Sequence, residues 1–473
     1  MEAILAEYAG KLYGAVWDVT MPTLLLGTGI YLTIGLRLMP IRRLKAGFES
    51  LFSKKAYTHT EANDGITPMQ SLMTALSGTI GAGNIIGVAS AILIGGPGAI
   101  FWMWMTAFCG MATKYAEGLM AIKYRERSED GLLIGGPMYY IKVGLSKKWL
   151  FLGTSYAVMM VIAGLATGHM VQANAISVVL SENFGVNNWV TAVLLSILVF
   201  VVIIGGIKSI AKMAEVTVPT MTILYLVCGT IILISNVSAI PAAFGLIFDG
   251  AFNGTAAVGG FSGALIAAAI QQGVSRGLYS NEAGTGSAAI AHASSETQDP
   301  IVQGEIAMLG TVIDTIIICT FTALIILTVQ IDVGGVVQST WMFGDDGNSG
   351  AVLTSQAFAA GLPGGGYVVI IGQLIFSFTT IIAWSLYVER AGIFLSHEKY
   401  KTVFRVLSVG FVFAGCVGNF ATIWAFGLAT LGILAAPNLI ALLIKSREIF
   451  AMTNEAHEAR QKLKIKQQNN KES

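Results

Sequence analysis

The stretch Ser77-Gly78-Thr79-Ile80-Gly81-Ala82-Gly83-Asn84 interrupts an apolar segment that is long enough to cross a membrane. A second apolar segment contains Gln271-Gln272-Gly273-Val274-Ser275-Arg276-Gly277. Irregular backbone in the hydrocarbon core leaves N–H and C=O groups without helical partners, at a cost of several kcal/mol each. Such interruptions persist where the backbone lines a polar site, and a pair of broken helices is typical of secondary transporters. The sequence therefore predicts two broken helices around one binding site.

The composition is that of a protein that crosses the membrane many times. Of 473 residues, 54% are hydrophobic and 12% are charged, whereas soluble domains carry about 25% charged residues. A spanning helix needs about 20 mostly apolar residues. The predicted spans, about eleven in all, cover residues 16–36, 68–94, 98–122, 151–180, 189–207, 214–235, 258–292, 303–330, 366–389, 402–419 and 421–444.

The distribution of positive charge predicts the orientation in the cell membrane. With this set of spans, every Lys and Arg except Lys11 falls on one side. By the positive-inside rule that side is cytoplasmic, so the N-terminus is predicted outside and the C-terminus inside. Because the charges follow sidedness, the net charge of +1 says nothing about nucleic acid. The predicted partner is the lipid bilayer, and no nucleic acid is predicted.

The order of the spans predicts an all-α architecture with internal symmetry. Residues 1–67 are expected to hold a peripheral helix and a basic interfacial segment, and residues 447–473 a polar cytoplasmic tail. Residues 68–235 and 258–446 then contain five spans each, and each set begins with a broken helix. Because five is odd, the second set is inverted relative to the first, which is the plan associated with alternating access.

The first interruption combines groups that suit opposite charges. The free N–H groups of Ala82 and Gly83, at the start of the following half-helix, suit a carboxylate. The free carbonyl groups of Ser77 and Ile80 suit a small cation. A close-packing face between helices is the alternative explanation for the glycines, although it does not explain Asn84 among them.

The second interruption and the fourth span supply further polar candidates. The amides of Gln271 and Gln272, beside the exposed backbone of Gly273, can recognise a zwitterion without a charge of their own. Hydrogen bonding between helices is the alternative. In the fourth span Gln172 lies near Thr167, His169 and Asn174, and polar side chains at this depth are expected to face the interior of the bundle.

The ninth span carries a polar stripe. Its members share one helix face by their spacing of four, three and four residues; they are Gln373, Ser377, Thr380 and Trp384. The hydroxyls of Thr379 and Thr380 can complete a sodium shell, and Trp384 can form a wall of a small apolar pocket. Bonding of the hydroxyls to the preceding helical turn is the alternative.

Asp314 is the one carboxylate deep in a predicted span. Acids at this depth belong to ion or proton pathways, or they are structural and bond to the backbone, and both explanations stay open. The spans contain no paired carboxylates, nucleophile or metal motif, so the sequence predicts a protein that is not an enzyme. No organic cofactor is predicted.

The stretch Gly95–Gly110, which reads GGPGAIFWMWMTAFCG, resembles the signature of the alanine or glycine:cation symporters, also known as the sodium:alanine symporter family. Residues 78–91 and 279–288 resemble the same family. The resemblance covers all eleven predicted spans. It implies a leucine-transporter-like fold with a five-plus-five inverted-repeat core, and import of a small neutral amino acid, alanine or glycine, by symport with sodium or less often a proton.

The resemblance also implies where the substrate binds. Its carboxylate is expected at the backbone of Gly81, Ala82 and Gly83. Its amine is expected near Thr79 and the interruption at residues 271–273, and its side chain against Trp384.

The same resemblance implies where the ions bind. A sodium site is expected at the carbonyls of Ser77 and Ile80 with Thr379 and Thr380, and Asn84 is the candidate for a second ion site. Asp314 lies outside the family motifs. An amino-acid-sensing receptor or an ion channel on the same scaffold is the alternative function, although a channel needs a continuous ring of ligands. The sequence leaves the oligomeric state open.

Overall fold

The computed structural model describes residues 2–52, 65–253, 262–333, 336–339, 349–396 and 398–472, which are mainly helical. The α-helices are α1 (Glu2–Trp17), α2 (Thr20–Gly35), α3 (Met39–Arg42), α4 (Leu44–Phe52), α5 (Pro68–Thr79), α6 (Val88–Gly95), α7 (Ala99–Lys123), α8 (Pro137–Gly144), α9 (Leu150–Ala163), α10 (Gln172–Phe184), α11 (Asn188–Ile204), α12 (Gly206–Ser235), α13 (Ile240–Phe252), α14 (Ser262–Asn281), α15 (Ser287–Ala293), α16 (Pro300–Thr311), α17 (Thr320–Thr328), α18 (Ser349–Gly361), α19 (Gly365–Leu395), α20 (Lys401–Val417) and α21 (Phe420–Glu472).

Shorter elements join or extend these helices. π-Helical segments are Gly83–Gly87, Gly164–Val171 and Val312–Cys319, and 3-10 helices are Lys147–Trp149, Val237–Ala239 and Glu398–Tyr400. Two antiparallel strand pairs are formed by β1 (Glu126–Arg127) with β2 (Leu133–Ile134) and by β3 (Gln330–Val333) with β4 (Val336–Ser339).

Local sequence explains where α5 and α16 begin. Thr67 caps α5: its side chain accepts from the backbone N–H of Gln70 at 3.1 Å, and the Gln70 side chain accepts from the N–H of Thr67 at 3.1 Å. This reciprocal cap satisfies two donors that the first turn leaves free. Asp299 caps α16 in a similar way, and Pro68 and Pro300 occupy first helical positions, where a missing N–H costs nothing.

Seven helical segments of the described residues are long and apolar enough to cross a membrane, or eight if a bent pair counts as one span. The seven are Ile4–Gly35, Lys147–Phe184, Gly206–Ser235, Pro300–Thr328, Gly365–Leu395, Glu398–Val417 and Phe420–Lys462. The bent pair is Pro68–Thr79 with Gly83–Gly95, at 53°. The other predicted spans coincide with α7, α11 and the pair α14 and α15. The count of eleven and the inverted repeat stay predictions.

The predicted break at residues 271–277 is wrong in its position. Helix α14 runs without interruption through these residues, and the chain leaves the helix only after Asn281. Gly273 and Gly277 serve close packing, because a Cβ at Gly273 would lie 2.3 Å from the carbonyl oxygen of Ala99 and one at Gly277 would lie 2.1 Å from Oγ1 of Thr106. The glycines therefore let α14 approach α7.

The second segment is broken between α14 and α15, where the break begins five residues after the predicted one ends. Glu282, Gly284 and Gly286 have left-handed backbone, with φ of 54°, 97° and 76°. Left-handed residues end a helix because they turn the chain away from its axis. We call residues 282–286 the second break, and residues 80–82, which separate α5 from the π-helical segment, the first break.

The C-terminal tail continues α21 as far as Glu472. It returns to the body of the protein, because the side chain of Arg460 lies 2.5 Å from Glu305 of α16. Arg43, next to α4, binds the same carboxylate at 3.0 Å. The residue before α4 and the C-terminal part of α21 therefore meet at one buried acid.

Candidate functional site

The first break exposes backbone groups in the buried centre of the protein. Helix α5 ends at Thr79, and Ile80 takes an extended conformation with φ −74° and ψ 97°. All residues from 77 to 84 are buried. This confirms that the first apolar segment is broken within the quoted stretch.

Thr380 brings helix α19 to the first break. Its hydroxyl oxygen lies 2.9 Å from the carbonyl oxygen of Ser77 and 3.2 Å from that of Ile80. It also lies 2.9 Å from the carbonyl oxygen of Phe376 in its own helix. Because a hydroxyl has one hydrogen, it donates fully to only one of the three. The result is a group of neutral oxygens of the kind that hard cations prefer.

The neighbouring side chain of Thr379 is directed differently. Its hydroxyl donates to the carbonyl oxygen of Phe376 at 2.9 Å, which is the bonding to the preceding turn that the sequence left as an alternative. Thr79 bonds in the same way to the carbonyl oxygen of Leu76 at 3.2 Å. Of the three threonines predicted here, Thr380 reaches across to the first break.

The backbone N–H groups of the first break, which have no partner within a helix, donate to side-chain amides. The N–H of Ala82 donates to Oε1 of Gln172 at 3.0 Å, and the N–H of Gly81 donates to Oδ1 of Asn84 at 2.9 Å. Gln172 in turn donates to the hydroxyl of Tyr279 at 2.8 Å. Two partly negative oxygens thus occupy the N–H groups that suit a carboxylate. A side chain at Gly81 would displace its neighbours, because a Cβ there would lie 2.6 Å from Oγ1 of Thr380.

Asn84 connects the first break to Asp314. Its amide donates to Oδ1 of Asp314 at 2.7 Å. The other carboxylate oxygen accepts from the hydroxyls of Ser280 and Thr315, both at 2.6 Å. Asp314 is fully buried and its hydrogen-bond donors are neutral. The structure therefore brings Asn84 and Asp314 together, as parts of one oxygen-rich cluster.

Trp384 lies between the two breaks. Its indole nitrogen is 2.9 Å from Oε1 of Glu282 and 3.3 Å from the carbonyl oxygen of Gly78. The ring is buried and packs on Gly168, where a Cβ would lie 2.4 Å from the ring. Trp384 therefore lies beside the first break and is held there by close packing.

The substrate-binding residues predicted at 271–273 lie away from the first break. Gln271 donates to Oδ1 of Asp18 at 2.6 Å in an exposed position. Gln272 packs against Gly95, and Gly273 packs on α7. The structure does not bring these three residues to the first break.

Sequence reasoning missed Glu117 of α7 as part of this region. Its Oε1 accepts from the N–H groups of Gly284 and Gly286, at 2.9 and 3.1 Å, and from the amide of Asn438 at 2.7 Å. The carboxylate thus binds the free N–H groups of the second break. An acid inside a predicted span was the available signal.

The described residues contain no group of three or more His, Cys, Asp or Glu side chains that could hold a metal ion. Sodium does not require such a group, because it binds neutral carbonyl and hydroxyl oxygens. Thr380 with the carbonyls of Ser77 and Ile80 supplies such oxygens.

Known proteins resemble this chain over nearly its whole length. A model described as "Sodium:alanine symporter family" matches residues 1–472. The sodium/alanine symporter AgcS of Methanococcus maripaludis is 42% identical over 448 residues, which are 94% of this chain and 96% of the relative. The probable sodium/glutamine symporter GlnT of Bacillus subtilis is 33% identical over 453 residues, which are 95% of this chain and 90% of the relative.

A solved structure resembles this chain in its fold. The crystal structure of a manganese transporter from Eremococcus coleocola aligns with a TM-score of 0.51 and 12% identity, over 78% of this chain and 76% of that chain. At this identity the likeness concerns the fold alone.

Proposed function

The chain belongs to the sodium:alanine symporter family, whose members are secondary transporters and not enzymes, and we propose that it imports alanine or glycine together with sodium by alternating access. Sodium-coupled transport of an amino acid across the cell membrane follows from the family. The preference for a small substrate, the ion site and the substrate site are the parts proposed here.

The contact of Thr380 with the carbonyls of Ser77 and Ile80 carries the proposal for the ion. Sodium binds between these oxygens when the Thr380 hydroxyl turns its hydrogen towards the carbonyl oxygen of Phe376, and Thr379 completes the shell after release of its bond to the preceding turn. Asn84 and Asp314 form a second ion site, with the proton as the alternative occupant. The buried acid favours a cation there because its hydrogen-bond donors are neutral.

The substrate binds on the other side of the same backbone. Its carboxylate takes the N–H groups of Gly81, Ala82 and Gly83, which Gln172 and Asn84 partly occupy in this structure. Its amine faces Thr79, and Trp384 limits the size of its side chain. Gln271, Gln272 and Gly273 are not part of the proposed substrate site, because they face Asp18, Gly95 and α7.

Ion and substrate are coupled because one short stretch of backbone serves both. Sodium holds the carbonyls of the first break in place, and this arranges the neighbouring N–H groups for the carboxylate. The loaded site then permits rocking between the outward and inward states of the protein. We retain the outside N-terminus and cytoplasmic C-terminus in this scheme.

The test is uptake of labelled alanine into proteoliposomes with an imposed sodium gradient. Wild-type protein should accumulate alanine with sodium and not with potassium in its place. Thr380→Ala should lose about nine-tenths or more of the sodium-stimulated uptake, as expected for loss of an interaction worth about 1.4 kcal/mol.

The matched control is Thr220→Ala in α12, because Thr220 is exposed and bonds only to the preceding turn, at 2.6 Å from the carbonyl oxygen of Val216. It should transport like wild type. Unchanged sodium dependence in Thr380→Ala would remove Thr380 from the ion site. Accumulation driven equally well by a pH gradient alone would identify the proton as the coupling ion.

A further inference from the structure

Glu282 occupies a backbone conformation that a glycine would adopt more easily. Its φ is 54°, and the other left-handed residues of the second break are Gly284 and Gly286. A residue with a Cβ pays roughly 1–2 kcal/mol for this conformation, whereas glycine adopts it freely. A turn alone would thus be served by glycine. The side chain at position 282 is therefore expected to have a use of its own.

The carboxylate of Glu282 connects the two breaks through one indole. Oε1 accepts from Nε1 of Trp384 at 2.9 Å, and Oε2 accepts from the hydroxyl of Ser287. The same Nε1 lies 3.3 Å from the carbonyl oxygen of Gly78, at the end of α5. An indole has a single N–H, so this hydrogen is shared between an acceptor of the second break and one beside the first.

Glu117 holds the backbone that carries Glu282. Its carboxylate binds the N–H groups of Gly284 and Gly286, so the second break is attached to α7. Glu282 is 2% exposed and Trp384 is 1% exposed, so water does not compete for their hydrogen bond. With the backbone of the second break held by α7, the Glu282 side chain is the group that reaches Trp384.

We propose that Glu282 is a positioning residue for transport, which ties the second break to the first through the indole of Trp384. The two broken segments then change position together. This inference rests on the proposed symport. Loss of the Glu282 carboxylate should slow the movement of loaded protein more than it weakens binding, because the ion and substrate groups beside the first break are left in place.

The experiment is a double-mutant cycle with Glu282→Gly and Trp384→Phe. Glu282→Gly removes the carboxylate and relieves the backbone, and Trp384→Phe removes the N–H and keeps a ring. Each should lower the maximal rate of alanine uptake about tenfold, and the double variant should be no worse than either, because coupled residues are not additive. Sodium-dependent alanine binding by Glu282→Gly in detergent should change less than about threefold.

Two further variants control the cycle. Glu282→Gln keeps an oxygen that accepts from the indole and should recover uptake to within about threefold of wild type. Trp102→Phe removes an indole N–H that has no hydrogen-bond partner among the described residues and should transport like wild type.

The proposal is overturned if the loss of uptake in the double variant equals the product of the two single losses. It is also overturned if Glu282→Gly takes up alanine at the wild-type rate. If wild-type protein does not accumulate alanine at all, the proposed symport fails separately. The link is then judged from the thermal unfolding midpoints of the same four proteins. Shifts that are not additive support it, and additive shifts overturn it.

Discussion

The hydroxyl oxygen of Thr380 lies 2.9 Å from the carbonyl oxygen of Ser77, although 303 residues separate the two in the chain. This contact attaches α19 to the point where α5 ends. The N–H groups of Gly81 and Ala82 follow within five residues of Ser77. An ion and a carboxylate bound here would share one piece of backbone, and each would strengthen binding of the other by the same factor.

Gly81→Ala should strongly impair transport. A Cβ at this position would lie 2.6 Å from Oγ1 of Thr380 and 3.0 Å from Oε1 of Gln172, so both side chains would have to move. We expect uptake of labelled alanine to fall about tenfold or more. Gly27→Ala in α2 is the control, because a Cβ there meets nothing within 4 Å. Normal uptake by Gly81→Ala would contradict the close approach.

The carboxylate introduced by Gln172→Glu should compete with the carboxylate of the substrate. The amide oxygen of Gln172 accepts from the N–H of Ala82, and a carboxylate in its place would imitate the carboxylate of the amino acid. We expect the KM for alanine to rise about tenfold, with a smaller change in maximal rate. Concentration-dependent uptake measures both. A KM equal to that of wild type would show that the substrate does not use the N–H of Ala82.

Leucine should compete poorly with alanine. Trp384 is buried against Gly168, and a Cβ on that glycine would lie 2.4 Å from the tryptophan. A branched side chain is expected to find no room beside this ring. Unlabelled glycine and leucine, added to labelled alanine, measure the difference. If leucine inhibits as well as glycine, Trp384 does not limit the size of the substrate.

Asp314→Asn should separate the ionic from the structural role of this acid. The hydroxyls of Ser280 and Thr315 can turn and accept from the new amide, so we expect an unfolding midpoint close to that of wild type. Loss of a buried negative charge weakens attraction for a cation, and the sodium concentration for half-maximal uptake should rise about tenfold. A lower midpoint with unchanged sodium dependence would mark the acid as structural.

Glu305→Gln should loosen the attachment of α4 and of the C-terminal part of α21. The Glu305 carboxylate is 1% exposed and binds Arg43 and Arg460, whose side chains are 25% and 31% exposed. Because the arginines are partly solvated, we expect a loss of only about 1 kcal/mol in unfolding free energy, and faster proteolysis of the C-terminal end of α21. Glu49→Gln is the control, since its pair with Lys45 is exposed. Equal proteolysis of the wild type and Glu305→Gln would exclude this role.

Much of the first break could be predicted from sequence, because its signals are local. The segment is apolar, but eight consecutive residues of it contain glycines, a threonine and an asparagine. This combination leaves few arrangements other than exposed backbone. The pairing of Thr380 with Ser77 and Ile80 came from the family resemblance, and the structure brings these three residues together.

The second break shows what the sequence did not determine. Gly273 and Gly277 have the same local pattern whether a helix unwinds there or packs closely, and only the contacts with Ala99 and Thr106 of α7 decide for packing. The left-handed turn at Glu282 depends on distant partners as well. Sequence by itself determined that polar backbone must lie inside an apolar bundle, since each segment carries its own hydrophobicity. Tertiary structure decided where helix α14 ends, because close packing and hydrogen bonds join residues that are far apart in the chain.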